Sequence, residues 1–194
     1  KITPNEAASS DYKDCLQKIA PHVDYLVLNI SSPNTPGLVE LQNKKGLKSL
    51  LSVVQEINQK EFNKPLLIKI SPDLTLKQID HILTLVKEYN IAGIIATNTS
   101  SNRDNLTTRL SYIDQVGAGG LSGRPLFVKS KKVVSYISKK TSGQLPIIAV
   151  GGISCANDAL EMFNSGASLV QVYTGFIYKG PSLVRDIKKK LLDI

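Results

Sequence analysis

Five short runs of aliphatic residues, each followed by a helical pattern, constrain this chain more than any other feature. The runs are Tyr25–Ile30, Pro65–Ile70, Ile91–Thr97, Pro146–Val150 and Ser168–Tyr173. They are rich in Val, Ile and Leu and lack strict polar alternation, as strands covered on both faces do. Between them, Leu47, Leu50, Leu51 and Val54 fall at i, i+3, i+4 and i+7, and so do Ile79, Ile82, Leu83 and Val86. Each set makes one apolar helical stripe. Thr75 and Gln78 have the spacing of a capping box at the start of the second helix. Further helices are expected near Glu6–Ile19, around Val128–Lys139, over Asn157–Asn164 with Gly166 as its stop, and from about Pro181.

Strand–helix alternation of this kind implies a parallel sheet with right-handed crossovers. Two architectures fit: an open doubly wound sheet, or part of a (β/α)8 barrel. A whole barrel takes about 250 residues and eight strands. With 194 residues and five strands, the chain is either a five-stranded open sheet or a barrel without its first three units. No internal linker divides it, so a single domain is expected.

Composition narrows the function classes. Apolar residues make up 42% and charged residues 21%, an ordinary balance for a soluble protein. No run approaches the roughly 18 apolar residues of a spanning helix, and Lys1–Pro4 lead into a polar helix without a signal-peptide pattern. Cys15 and Cys155 lie far apart, which favours a reducing compartment, and His22 and His81 belong to no ligand cluster, so no metal site is expected. The net charge is +8, with lysine groups at Lys129–Lys132 and Lys188–Lys190. Both groups fall near helix ends, where they read as solvated faces, with an anionic membrane surface as the alternative. No aromatic–basic interleaving supports nucleic-acid binding.

In either architecture, chemistry gathers at the carboxyl ends of the strands. Here those ends read Asn29–Thr35 (NISSPNT), Lys69–Asp73 (KISPD), Thr97–Ser100 (TNTS), Gly151–Ser154 (GGIS) and Tyr173–Gly175 (YTG). Asn29, Asn34 and Asn98 each offer a donor and an acceptor, which suits a planar ligand whose edges alternate C=O and N–H. Turn chemistry would explain one asparagine more readily than three at converging strand ends. Lys69 stands inside an apolar strand, where lysine is rarely left without a partner. It either forms a salt bridge or holds a fixed cation against an anion formed during reaction. Gly151-Gly152 and Gly119–Gly123 (GGLSG) let backbone N–H groups approach a phosphate, although neither has the dinucleotide-binding spacing. No Ser–His–Asp constellation is apparent, so Ser32 is a weak base unless its proton can be relayed.

Taken in order, NISSPNT, KISPD, Thr97-Asn98-Thr99, Gly119–Leu126 (GGLSGRPL), Gly151-Gly152 and Tyr173-Thr174 resemble the C-terminal portion of dihydroorotate dehydrogenase. The resemblance runs essentially end to end. It implies a (β/α)8 barrel of which residues 1–194, a single domain, supply about the last five βα units. It further implies FMN at the strand carboxyl ends and dihydroorotate against it, losing a C5 proton to a base and a C6 hydride to flavin N5 to give orotate. By this likeness Ser32 is the catalytic base. Serine rather than cysteine at that position marks the class that passes electrons to a quinone and associates peripherally with the bacterial cytoplasmic membrane or the mitochondrial inner membrane. Asn29, Asn34, Asn98 and Thr99 would contact substrate. Asn29, Lys69, Thr97, Gly123, Gly152, Tyr173 and Thr174 would hold FMN, and Ser31, Pro33 and Thr35 would shape the substrate loop. The family's first barrel strands, a further asparagine set and the membrane-docking helices have no counterpart in this sequence. The competing expectations are a phosphate-binding barrel isomerase or synthase and a non-catalytic, flavodoxin-like binding module.

Overall fold

The computed structural model describes residues 3–193 apart from 36, 43 and 105. In chain order they form α1 (Ala8–Ile19), β1 (Leu26–Asn29), α2 (Lys44–Ile57), β2 (Leu66–Ile70), α3 (Leu76–Glu88), β3 (Gly93–Ala96), α4 (Leu110–Val116), α5 (Phe127–Lys140), β4 (Ile147–Val150), α6 (Ala156–Asn164), β5 (Leu169–Gln171), α7 (Thr174–Lys179) and α8 (Ser182–Leu192).

All five expected strands are present, each somewhat shorter than its apolar run. β5 stops at Gln171 rather than Tyr173, because its partner β4 ends at Val150, which pairs with Gln171. The capping box forms as spaced: Thr75 Oγ1 accepts from Gln78 N at 3.3 Å, and Gln78 Oε1 accepts from Thr75 N at 2.8 Å. Gly166 follows the last turn of α6 with φ +102°, a conformation that glycine adopts without steric cost. Two helices have no counterpart in the sequence reading. α4 and α7 are 7 and 6 residues long, and α4 buries none of its residues, so it has no apolar stripe to read.

The sheet runs in the order β1-β2-β3-β4-β5, with every pair parallel. Because side chains alternate across a strand, the register sorts the sheet into two faces. On one face Leu26, Leu28, Leu66, Ile68, Ile70, Ile94, Ala96, Ile147 and Ala149 join the helical stripes in the main core. That core holds Leu47, Leu50, Leu51 and Val54 of α2, each at most 1% exposed. Burial of each such side chain contributes about 1.5–3 kcal/mol. The other face carries a separate small cluster of Leu67, Ile95 and Ile148 with Val150 against it, and no helix residue joins this cluster.

Helices therefore cover one side of the sheet only, and the strand order never reverses. A doubly wound sheet needs helices on both faces and a switch in strand order. The architecture is that of five consecutive βα units of a (β/α)8 barrel, whose interior is filled by layers of side chains.

Candidate active site

The inner face of the sheet is layered. Leu67, Ile95 and Ile148 cluster there with Val150, and Asn29 and Lys69 stand in the row of Ile95 and Ile148 while Gln171 pairs with Val150 nearer the carboxyl ends. Period-two alternation thus sends Lys69 inward while Ile68 and Ile70 go to the helices. Above this layer lies a cavity of about 540 Å³, within the range of roughly 300–1,000 Å³ typical of small-molecule sites.

The cavity wall includes Lys69, Thr97, Asn98, Thr99, Gly123, Gly152, Tyr173 and Thr174, all expected site residues. Asn29, Ser32 and Asn34 are not on this wall. They stand in the segment after β1, and the side chains of Asn29 and Asn34 are held by hydrogen bonds. Asn98 Nδ2 donates to Asn29 Oδ1 at 3.0 Å and to Ser31 Oγ at 3.1 Å. Ser31 is fully buried, and its hydroxyl donates to Lys69 O at 2.7 Å. Gly120 N donates to Asn34 Oδ1 at 2.7 Å. Ser32, half-buried, lies between these two anchored positions. From the helical side, Tyr12 of α1 donates its hydroxyl to Asn29 O at 2.9 Å, and burial pushes that phenol up to about 12.

These bonds orient the amides. Thr99 N donates to Asn98 Oδ1 at 2.8 Å, so Asn98 must turn its Nδ2 towards Asn29, which then faces it with oxygen. Gly120 N likewise claims the oxygen of Asn34. The acceptors of Asn29 and Asn34 are both engaged, and their Nδ2 groups remain as donors.

Lys69 has no carboxylate partner among the described residues, so the salt-bridge alternative is not realised. Burial lowers its pKa, since desolvation disfavours the charged form. The cavity wall holds Lys69, Arg124 and Lys179 and no carboxylate. Such a lining favours an anionic ligand.

Glycines let the surrounding loops close up. A Cβ on Gly152 would fall 2.5 Å from Phe127 N, so only glycine allows the loop after β4 to meet the start of α5. A Cβ on Gly120 would strike Thr99 Oγ1 and, at 2.8 Å, Pro33 Cγ. Beneath Gly120, Thr99 Oγ1 is the one buried side-chain polar atom without a partner among the described residues. Thr174 Oγ1 donates to Ser122 Oγ at 3.1 Å, which joins the end of the sheet to the glycine turn.

The N-cap of α6 is Cys155. Asp158 reaches back to accept from Ser154 N and Ser154 Oγ, both at 2.8 Å, from Cys155 N at 3.1 Å and from Arg124 Nη1. Burial pushes the Asp158 carboxyl up, but the Ser154 amide and the Arg124 guanidinium outweigh it and hold the pKa below the usual range. The positive end of α6 is therefore already matched by an internal carboxylate. Sequence reasoning missed Arg124, Ser122, Gln171, Tyr178 and Lys179 on the wall. Strand alternation from Leu169 could have found Gln171. Tyr178 and Lys179 ride on α7, which left no periodic signal.

Comparison with known proteins places these residues in context. The family model described as dihydroorotate dehydrogenase matches residues 1–194. The chain is 49% identical over 194 residues to "Dihydroorotate dehydrogenase (quinone)" of Christiangramia forsetii, covering 100% of this chain and 56% of that protein. It is 46% identical over 198 residues to the protein of the same name in Trichodesmium erythraeum, covering 99% and 51%. Among solved structures, DHODH of Eimeria tenella in complex with ferulenol superposes with a TM-score of 0.87 at 35% identity, covering 100% of this chain and 55% of that one. The ligand-free form gives 0.86 at 38% identity, covering 96% and 55%. The chain spans about half the length of the curated relatives it matches.

Proposed function

Because the chain belongs to the dihydroorotate dehydrogenase family, we propose that residues 1–194 are the C-terminal part of the FMN-binding barrel of a quinone-using enzyme. The whole protein oxidises dihydroorotate to orotate on the route to UMP. The observation that carries this reading is the meeting of two features. A cavity whose wall carries Lys69 and Lys179, with Arg124 matched by Asp158 behind it, adjoins a rim where Asn98 fixes both Asn29 and Ser31, the neighbour of Ser32.

The residues present fit a flavin mononucleotide. Lys69 supplies a half-buried cation with no carboxylate partner among the described residues, and Gly123, Gly152 and Thr174 bring backbone from three loops to one wall. Lys69, Thr97, Gly123, Gly152, Tyr173, Thr174 and, from the rim, Asn29 would hold it. When bound, FMN supplies the hydride acceptor and the route for electrons to quinone.

The protein's own groups do the rest. Ser32 Oγ removes the C5 proton of dihydroorotate. It is a weak base, so that proton must pass onward to water or a neighbouring hydroxyl. Asn29 and Asn34 present amide N–H donors to substrate oxygens, while Asn98 and Thr99 complete the pocket. Donors held in place before substrate arrives stabilise developing charge without reorganisation. Quinones reside in the bilayer, so the whole protein meets the bacterial cytoplasmic or mitochondrial inner membrane peripherally. No helix among the described residues is long and apolar enough to cross a membrane.

The test is anaerobic stopped-flow mixing of the flavin-loaded whole protein with dihydroorotate. Bleaching of the flavin's visible band at a substrate-dependent rate is expected. A flavin that dithionite reduces and dihydroorotate does not would overturn the assignment.

A further inference from the structure

Asp73 lies in the turn after β2, away from the cavity wall, yet its carboxylate accepts four hydrogen bonds, as many as that of Asp158. Its Oδ1 accepts from Ser100 Oγ at 2.6 Å and from Lys129 Nζ of α5. Its Oδ2 accepts from Ser101 N at 2.8 Å and Ser101 Oγ at 3.0 Å. Its own amide donates to Ser71 Oγ at 3.1 Å. Burial pushes the carboxyl up, but the bonds from Lys129, Ser100 and Ser101 outweigh it and hold the pKa below the usual carboxylate range.

What these bonds hold is the segment after β3. Ser100, 2% exposed, pairs reciprocally with Leu121: Ser100 N donates to Leu121 O at 3.0 Å and Leu121 N to Ser100 O at 2.7 Å. Arg103 Nη2 donates to Gly117 O at 2.7 Å and Gly119 O at 2.8 Å. Next in line, Gly120 bonds Asn34 and packs against Thr99 and Pro33. The intervening helix α4 buries nothing, so hydrophobic packing does little to keep this segment in place. Polar anchors at its two ends must do so.

We propose that Asp73 is a positioning residue that clamps Ser100 and Ser101, and through the Ser100–Leu121 bridge the glycine turn, so that Gly120 is pressed onto the Ser32–Asn34 loop. The proposal rests on the reading of that loop as the substrate loop. Asp73 touches neither substrate nor cofactor; it acts through Ser100 and the glycine turn. Lys129 shares one oxygen of Asp73 and leaves the Ser101 bonds intact, so its loss weakens the clamp less.

The test compares D73A, D73N and K129M in the flavin-loaded whole protein. D73A and D73N are expected to raise the KM for dihydroorotate about 10- to 100-fold, the effect of misplacing a binding group by around an ångström, with a smaller change in kcat. K129M should fall between them and the parent. Flavin content and reduction by dithionite should be unchanged. Trypsin should cut after Arg103 or Arg109 at least about tenfold faster in D73A and D73N, because local opening exposes the segment. Parent-like KM and parent-like cleavage in both Asp73 variants would overturn the proposal, as would a lowered melting temperature with neither readout moved. If the parent does not oxidise dihydroorotate, the functional reading fails, and the cleavage rates alone judge the clamp. If D73A does not fold, D73N and K129M supply both readouts.

Discussion

Asn98 donates its side-chain amide to Oδ1 of Asn29 at 3.0 Å across 69 residues of sequence. That bond couples the ends of β1 and β3, which are not neighbours in the sheet, and leaves Asn29 facing outward with hydrogen-bond donors alone. The two strand ends are therefore held in one fixed relation.

Replacing Ser32 with alanine should slow flavin reduction by dihydroorotate about 10²- to 10⁴-fold, the usual loss on removing a general base. Substrate affinity should change little, because Asn29, Asn34 and Asn98 keep their bonds. Single-turnover stopped-flow measures this, and an unchanged rate would remove Ser32 from the chemistry.

Lys69→Met should separate stability from binding. Burial lowers the Lys69 pKa in the folded protein, so below the ordinary value of about 10.4 the unfolded chain binds the extra proton more readily. Stability then rises with pH through the window beneath 10.4, and the charged lysine works against folding at neutral pH. The variant should melt higher without flavin and lose that pH slope. It should also retain flavin less well through gel filtration. Calorimetry and the flavin absorbance ratio check the two halves.

Asp158→Asn should act at the acid end. The folded pKa of Asp158 is depressed, so its contribution is present above the ordinary carboxylate value of about 3.9 and is lost as pH falls through the window below it. The variant should lose about 1–3 kcal/mol at neutral pH, and its stability should fall less steeply between neutrality and acid. Urea unfolding at a series of pH values reads both effects.

Much of this molecule is legible in its residues. The stripes of α2 and α3, the capping box at Thr75 and the five strand ends all follow from periodicity and turn chemistry, which are local. Lys69 stands out because it breaks an apolar run, and strand alternation then assigns its direction. The choice between barrel and doubly wound sheet is not local. It depends on which strand pairs with which, and β1 and β5 carry no mark of their neighbours. The clamp at Asp73 escaped notice for a similar reason: a carboxylate in a turn looks like any other until its donors, 27 to 56 residues away, are placed around it.

Gly120→Ala should disturb substrate and spare flavin. The added methyl would overlap Thr99 and crowd Pro33, pushing the glycine turn off the Ser32 loop. The KM for dihydroorotate should rise about tenfold or more, as expected from a displacement of around an ångström, while flavin content stays at the parent level. Steady-state kinetics with a flavin assay on the same preparation decide it.

If substrate meets Asn29 and Asn34 as proposed, the one-way amides would also act as a filter on ligand identity. A heterocycle of the right outline but with an amino group where an oxygen should face Asn29 or Asn34 would set hydrogen against hydrogen. Neither asparagine can rotate to accommodate it without breaking its bond to Asn98 or Gly120. Shape alone would admit such an isostere; polarity turns it away.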